Sequence, residues 1–257
     1  MQLPIRVFAA LFLAHLLGDF PLQPHHLRLA KRRHWWASAL HGLIHGALLL
    51  ICLIYFAPPF EVFHWRVFLW ASCYIALHLL IDVAKGRFPE DSIAAFSIDQ
   101  TLHLATVFGL ALLLTQLRWQ SLHSLLAVDG STKDHLLSGA IVYTTVIFAG
   151  GYLIRYLTRG LVRQIPFAVV EPPEQMKNAG LYIGWLERLL VVSAVVLRSP
   201  ALMGLILTGK SIARFPEMKE PKFAEYFLIG TLLSLAIALF GGLLLLKLWN
   251  GAVSFQQ

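Results

Sequence analysis

Four pairs of ligand-type side chains recur at i,i+4 spacing: His15/Asp19, His41/His45, His78/Asp82 and Asp99/His103. On an α-helix that spacing stacks both members of a pair on one face, one turn apart. Neutral imidazole and carboxylate are ligands that suit zinc, iron and manganese, and helix bundles assemble carboxylate/His metal sites from such pairs. Five His and three Asp exceed what one tetrahedral ion needs. They suffice for two divalent metals, or for one with hydrogen-bonding partners and a general base. Zinc is the first expectation, with iron or manganese as alternatives.

The elements that must position these pairs are membrane helices. Of the 257 residues 58% are hydrophobic and 14% charged, with a mean hydropathy of +0.68. A soluble domain is about a quarter charged. Several apolar runs approach the roughly 20 residues that cross a bilayer, and they are too long and too uniform for barrel strands. The expected fold is all-α, a polytopic transmembrane bundle of seven or eight spans. Helices are expected over about 4–23, 37–57, 65–85, 98–117, 136–157, 179–198 and 223–248, with a shorter apolar stretch at 199–214 that spans or re-enters. Residues 1–120 read as a four-helix bundle that carries the His/Asp pairs, and 121–257 as a C-terminal transmembrane half. The segment RGLVRQIPFAVVEPPEQMKNAG is the longest polar connection.

The net charge of +7 has a topological reading. Fourteen of the 21 basic residues fall in the loops after helices one, three, five and seven, among them Arg28, Lys31, Arg32, Arg33, Arg87 and Lys177. The positive-inside rule puts those loops in the cytoplasm and the N-terminus outside. Basic clusters in short inter-helix loops argue for anionic lipid and against nucleic acid as the partner. Trp35 and Trp36 suit a membrane interface. Cys52 and Cys73 sit in apolar runs and support neither a disulfide framework nor a thiolate metal site. The N-terminal run lacks a basic n-region and an A-x-A site, so it reads as a retained first helix.

Placed on these helices, the four pairs lie at the end of helix one, the start of two, the end of three and the start of four. In an up-down-up-down bundle those ends share one side, here the cytoplasmic one. The remaining histidines (His25, His26, His34, His64, His123, His135) and aspartates (Asp91, Asp129, Asp134) fall in loops or at helix ends. A hydrogen-bonded polar core or a proton relay is the plainer account of any one pair. Four pairs at one depth favour metal. Lys85, one turn beyond Asp82, suits an anion at the mouth of the site, or else snorkels. Gln23 lies four residues after Asp19, and Gln100 beside Asp99. In the second half Glu187 is expected to pair with Lys210 or Arg188, as a structural ion pair, or with Arg188, Lys210 and Arg214 forming a basic pocket for a lipid head group.

The strings HLLGDFPLQ, HGLIH, HLLIDVAKG and DQTLH, followed by GLYIGWLERLL, GKSIARF and EYFLIGTLLSL, resemble the bacterial integral-membrane family called domain of unknown function 3307. That resemblance covers nearly the whole chain and implies a bacterial cytoplasmic-membrane protein without an assigned activity. The spacing of the pairs is also similar, as a pattern only, to membrane-bound metal-dependent hydrolases and distantly to zinc-dependent phospholipase C.

The expected function is therefore a membrane-embedded metal-dependent hydrolase acting on a lipid-like phosphoester or similar amphiphile at the cytoplasmic leaflet. His15, Asp19, His41, His45, His78, Asp82, Asp99 and His103 are the expected ligands, Asp19 or Asp82 the base, and Lys85 the residue that orients the substrate. The alternatives are a di-iron oxygenase or desaturase, which is usually richer in histidine; a metal- or proton-coupled transporter, which would carry midplane ligands and internal repeats; and a structural subunit with a polar packing network.

Overall fold

The computed structural model describes residues 3–31, 33–57, 65–85, 92–115, 132–163 and 179–251. Arg32, His64, Arg87, Asp91, His123, Asp129 and Lys177 lie outside the described residues. Among the described residues every regular element is helical: α1 Leu3–Asp19, α2 His25–Ala30, α3 Trp35–Phe56, α4 Trp65–Lys85, α5 Ile93–Thr115 and α6 Thr132–Thr144. A π-helical turn, Thr145–Ala149, leads directly into α7 Gly150–Val162; then come α8 Ala179–Val196, α9 Pro200–Ala213, a 3₁₀ turn Glu217–Lys219 and α10 Pro221–Gly251. Backbone polar groups in hydrocarbon must be satisfied within the segment, which is why long apolar runs fold as helices.

Among the described residues five stretches are long and apolar enough to cross a membrane: α3, Val67–Lys85 of α4, α5, the continuous run Thr132–Val162, and Pro221–Asn250 of α10. α1 and α8, of 17 and 18 residues, sit near the lower limit of about 17. α9 has 14 residues; at about 1.5 Å per residue it reaches roughly 21 Å, short of a hydrocarbon core of about 30 Å. The molecule is a multi-pass helical membrane protein. Its outer faces carry Leu43, Ile51, Ile54, Phe68 and Leu80, all exposed, an apolar surface suited to lipid.

Several boundaries differ from the sequence reading for local reasons. α1 stops at Asp19, before Phe20 and Pro21, and the basic segment after it contains the short helix α2. α5 starts at Ile93, five residues before the expected position, and Ser92 accepts from the Ala95 N–H through its hydroxyl at 3.2 Å, the bond an N-cap serine makes. The expected fifth helix is longer at both ends and interrupted by the π turn.

Two compact units divide the chain, 1–144 with 248–257, and 145–247. In the first, α1 packs on α3, α3 on α4, α4 on α5, and α5 back on α1, which closes a four-helix ring; α6 also lies against α1. The ring has an apolar layer of Val7, Leu11, Leu49, Leu53, Val67, Val107 and Leu110. α1 supplies the most to it: Ile5, Val7, Ala9, Ala10, Leu11, Leu13 and Ala14 are all buried. Ala9, Ala10 and Ala14 are small, which permits close helix approach where lipid offers no hydrophobic drive. Near one end Arg6 pairs with fully buried Asp134 at 2.8 and 3.0 Å. In the second unit α8 packs on α7, α9 and the π turn.

Truncating Leu53, which is fully buried, to alanine is expected to destabilise the protein by about 2–4 kcal/mol. Ile54→Ala, on the adjacent exposed position, should stay within about 0.5 kcal/mol. Denaturant titration in detergent, followed by circular dichroism, measures both.

Candidate metal centre

Each helix of the four-helix ring delivers one pair. α1 brings His15 and Asp19 in its last two turns, α3 brings His41 and His45, α4 brings His78 and Asp82 near its end, and α5 brings Asp99 and His103. The five imidazoles are at most 1% exposed. His25, His26 and His34 are exposed and His135 is half-buried, so burial separates the paired histidines from the other described ones. Gly18 makes the approach of α1 and α3 possible: a Cβ there would overlap the His45 ring.

The centre is built on Asp19. Its Oδ1 lies 3.2 Å from His45 Nε2, 3.3 Å from His41 Nε2 and 3.5 Å from His78 Nε2. His41 Nε2 and His78 Nε2 are 3.2 Å apart. One carboxylate oxygen cannot accept three well-directed N–H bonds from nitrogens that also crowd one another. A tetrahedral ion with ligand bonds of about 2.0–2.1 Å has edges of about 3.4 Å. Four of the six edges of this donor set are 3.2–3.5 Å, so these four atoms fit one metal.

The other oxygen of Asp19 faces His15, with Oδ2 3.7 Å from Nε2. The His15 ring stacks on His103 with centroids 5.0 Å apart. His103 donates from Nδ1 to the Asp99 backbone carbonyl at 3.0 Å, which assigns the proton to Nδ1 and leaves Nε2 a bare lone pair, buried and without a hydrogen-bond partner. His ligands characteristically have their other ring nitrogen fixed in this way. His15 Nδ1 and His78 Nδ1 are likewise buried without a hydrogen-bond partner. Three groups of donors, each set within 4.8 Å, result: Asp19/His41/His45/His78, His15/Asp19/His103 and His78/Asp82/His103. Asp19 belongs to two of them.

Seven of the eight expected ligands therefore converge. Asp99 is placed differently. Its Oδ2 accepts from Lys85 Nζ at 2.5 Å and from Gln100 Nε2 at 3.0 Å, while Oδ1 is buried, 3.5 Å from His103 Nδ1, without a hydrogen-bond partner. Asp82 Oδ2 accepts from Lys31 Nζ at 2.6 Å and lies 3.4 Å from His41 Nε2. Gln23 Nε2 is 3.2 Å from His41 Nε2. Lys31 is the residue that sequence reasoning missed as part of this centre. It lies in a run of basic residues that all serve the topology argument equally, and nothing in its spacing marks it.

The three basic residues expected in the second half each have their own partner. Lys210 pairs with Glu187 at 2.7 Å and Arg214 with Glu217 at 3.1 Å. Arg188 donates from Nε and Nη2 to the Ile147 carbonyl at 3.1 and 2.7 Å, and from Nη1 to Ser234 Oγ at 3.4 Å. Ile147 sits in the π turn, where the ordinary helical ladder is broken, and the buried guanidinium satisfies its carbonyl. Gly151 leaves room for it, since a Cβ there would come within 2.6 Å of Nη2.

A four-helix ring in a multi-pass membrane protein, with a buried His/Asp cluster near one end, is thus the class that fold and site define. Residues 7–129 match the family model described as "Protein of unknown function (DUF3307)", and over those residues the chain is similar to that family. The matched stretch contains all four pairs, together with Lys31 and Lys85, and ends before the C-terminal strings that share the resemblance. No curated protein and no solved structure matches the chain.

Gly18→Ala is expected to push the His45 ring out of line, at a stability cost of about 1–3 kcal/mol and a loss of roughly tenfold or more in zinc affinity. Gly109→Ala, where an added Cβ meets nothing within 4 Å, should change neither. Competition against a chromophoric chelator reads the affinity directly.

Proposed function

We propose that the protein is a membrane-embedded, metal-dependent hydrolase of the bacterial cytoplasmic membrane, acting on an amphiphilic phosphoester at the cytoplasmic leaflet. The observation that carries this reading is the convergence of His41, His45 and His78 Nε2 on Asp19 Oδ1 at tetrahedral-edge spacing. Asp19, His41, His45 and His78 would hold the first ion, zinc in preference to manganese or iron, and His15 and His103 would hold a second together with Asp19. Such ions acidify a water and stabilise developing oxyanion charge.

The residues of the chain do the rest. Asp82 stands beside His41 and His78 with its side chain 14% exposed, so water reaches it more readily than it reaches the imidazoles, and it is the general base. Lys31 keeps that carboxylate in place. Asp99 fixes the His103 ring and receives Lys85, whose side chain is 41% exposed and marks the side from which substrate enters. Positive-inside charge asymmetry puts that side toward the cytoplasm. Residues 1–120 form the catalytic bundle, with 121–257 as its membrane support. Glu187 with Lys210, and Arg188 with the π turn, hold the helices of that second part together.

Elemental analysis of the purified full-length protein in detergent, beside His41→Ala/His45→Ala, tests the reading. Wild type should contain one to two equivalents of zinc or manganese, and the double variant should lose the ion assigned to Asp19, His41, His45 and His78, keeping at most the one assigned to His15, His103 and Asp19. Iron with redox activity would move the assignment to an oxygenase. Well-folded wild type that takes up no metal after reloading would reduce the cluster to a hydrogen-bonded network or proton relay.

A further inference from the structure

Two ammonium groups border the cluster from different helical segments: Lys31, just after α2, on Asp82, and Lys85, at the end of α4, on Asp99. Both carboxylates flank His103. Asp82 lies within 4.8 Å of it, and Asp99 Oδ1 is 3.5 Å from its Nδ1. Each lysine has three donors and directs one of them to a carboxylate oxygen. Resting on the hydrolase reading, we infer that Lys31 and Lys85 together hold the phosphoryl oxygens of a dianionic phosphomonoester, and that this monoester is the substrate class of the site.

Charge balance in a low-dielectric site leads to the same class. Three carboxylates, Asp19, Asp82 and Asp99, against two ammoniums leave the cluster with one negative charge. Two divalent ions would turn this into three positive charges, and moving a proton from water to Asp82 leaves that total unchanged. A phosphomonoester brings about two negative charges at neutral pH and brings the site to within one charge of neutral. A diester, with one charge, leaves the site more cationic inside the membrane, where unbalanced charge is costly. With a single ion the cluster would carry one positive charge, and the fitting substrate would be a diester.

In the reaction the hydroxide oxygen bonds to phosphorus as the bond from phosphorus to the leaving alcohol oxygen breaks. Of the two protons of the consumed water, one ends on the alkoxide and the other stays with the released phosphate. Lys31 and Lys85 remain on the phosphoryl oxygens throughout. They bind ground state and transition state alike, so their loss acts mainly on KM and on product affinity.

The test uses the full-length protein in detergent, loaded with zinc, with wild type compared to Lys31→Gln, Lys85→Gln and Lys31→Arg. Equilibrium dialysis with labelled inorganic phosphate reads the clamp without any turnover. Wild type should bind phosphate, each Gln variant should bind it about tenfold or more weakly with zinc content unchanged, and the Arg variant should recover part of the loss. A phosphatidate in mixed micelles, a soluble aryl phosphomonoester, the corresponding diester and an aryl acetate are then offered as substrates. Hydrolysis of the monoesters at least about tenfold faster than of the diester or acetate is expected, and the ratio between lipid and soluble monoester tells which source the site serves. Zinc-loaded protein that binds no phosphate, or that prefers the diester or acetate, overturns the inference while leaving the hydrolase reading in place. Loss of zinc in Lys31→Gln also overturns it, making Lys31 only a support for Asp82. Failure of wild type to take up metal removes the hydrolase reading itself.

Discussion

Burying five imidazoles and their carboxylates inside a helix bundle is the constraint around which the first unit is organised. Ionisable groups placed between membrane helices are costly unless they find partners, and hydrocarbon offers none. Here the partners come from the cluster itself: Asp19 is shared among four histidines, Asp82 and Asp99 are each held by a lysine, and His103 is fixed by a backbone carbonyl. The helices have to approach closely for this to happen. Gly18 against the His45 ring, and small residues along α1, show how the sequence permits that approach.

The same constraint gives the two units different characters. In the first, polar groups are concentrated near one end of the ring, beneath an apolar layer of Leu, Val and Ala that fills the rest. In the second, polar groups are used singly. One ion pair joins α8 to α9, and one arginine donates to the Ile147 carbonyl in the π turn. A guanidinium suits that task because its planar fork can address one acceptor with two donors while a third reaches Ser234. The result is local structural satisfaction, and the ligand-rich chemistry of the chain stays in the first unit.

Much of this organisation was legible in the sequence, and for identifiable reasons. The spans follow from apolar run length, and the His/Asp pairs follow from a spacing that an α-helix turns into adjacency. A histidine four residues from an aspartate is a local fact, and so is the placement of both near the end of an apolar run. The alternation of helix direction across short loops then brings the four ends to one side without further information. Pro58 and Pro59 mark where one run must stop, and α3 and α4 ended where the pattern put them. The stretch matched to the DUF3307 family covers this readable part of the chain.

Other features depended on contacts between residues far apart in the chain. Lys31 meets Asp82 across 51 positions and Arg6 meets Asp134 across 128, and neither pairing leaves a periodic trace. That Asp19 sits at the centre while Asp99 stands aside with Lys85 depends on the rotation of α1 and α5 about their axes, which no i,i+4 pattern specifies. The π turn at Thr145–Ala149 was equally invisible: its β-branched residues are ordinary in an apolar run, and Arg188, whose guanidinium donates to its Ile147 carbonyl at 2.7 Å, lies 41 positions away in sequence. The sequence by itself determined which helices carry the ligand pairs and that both members of a pair share a face, because helical period and membrane thickness act locally. Only the tertiary structure decided which carboxylate the imidazoles share and which lysines the others receive, because those choices depend on helix rotation and approach.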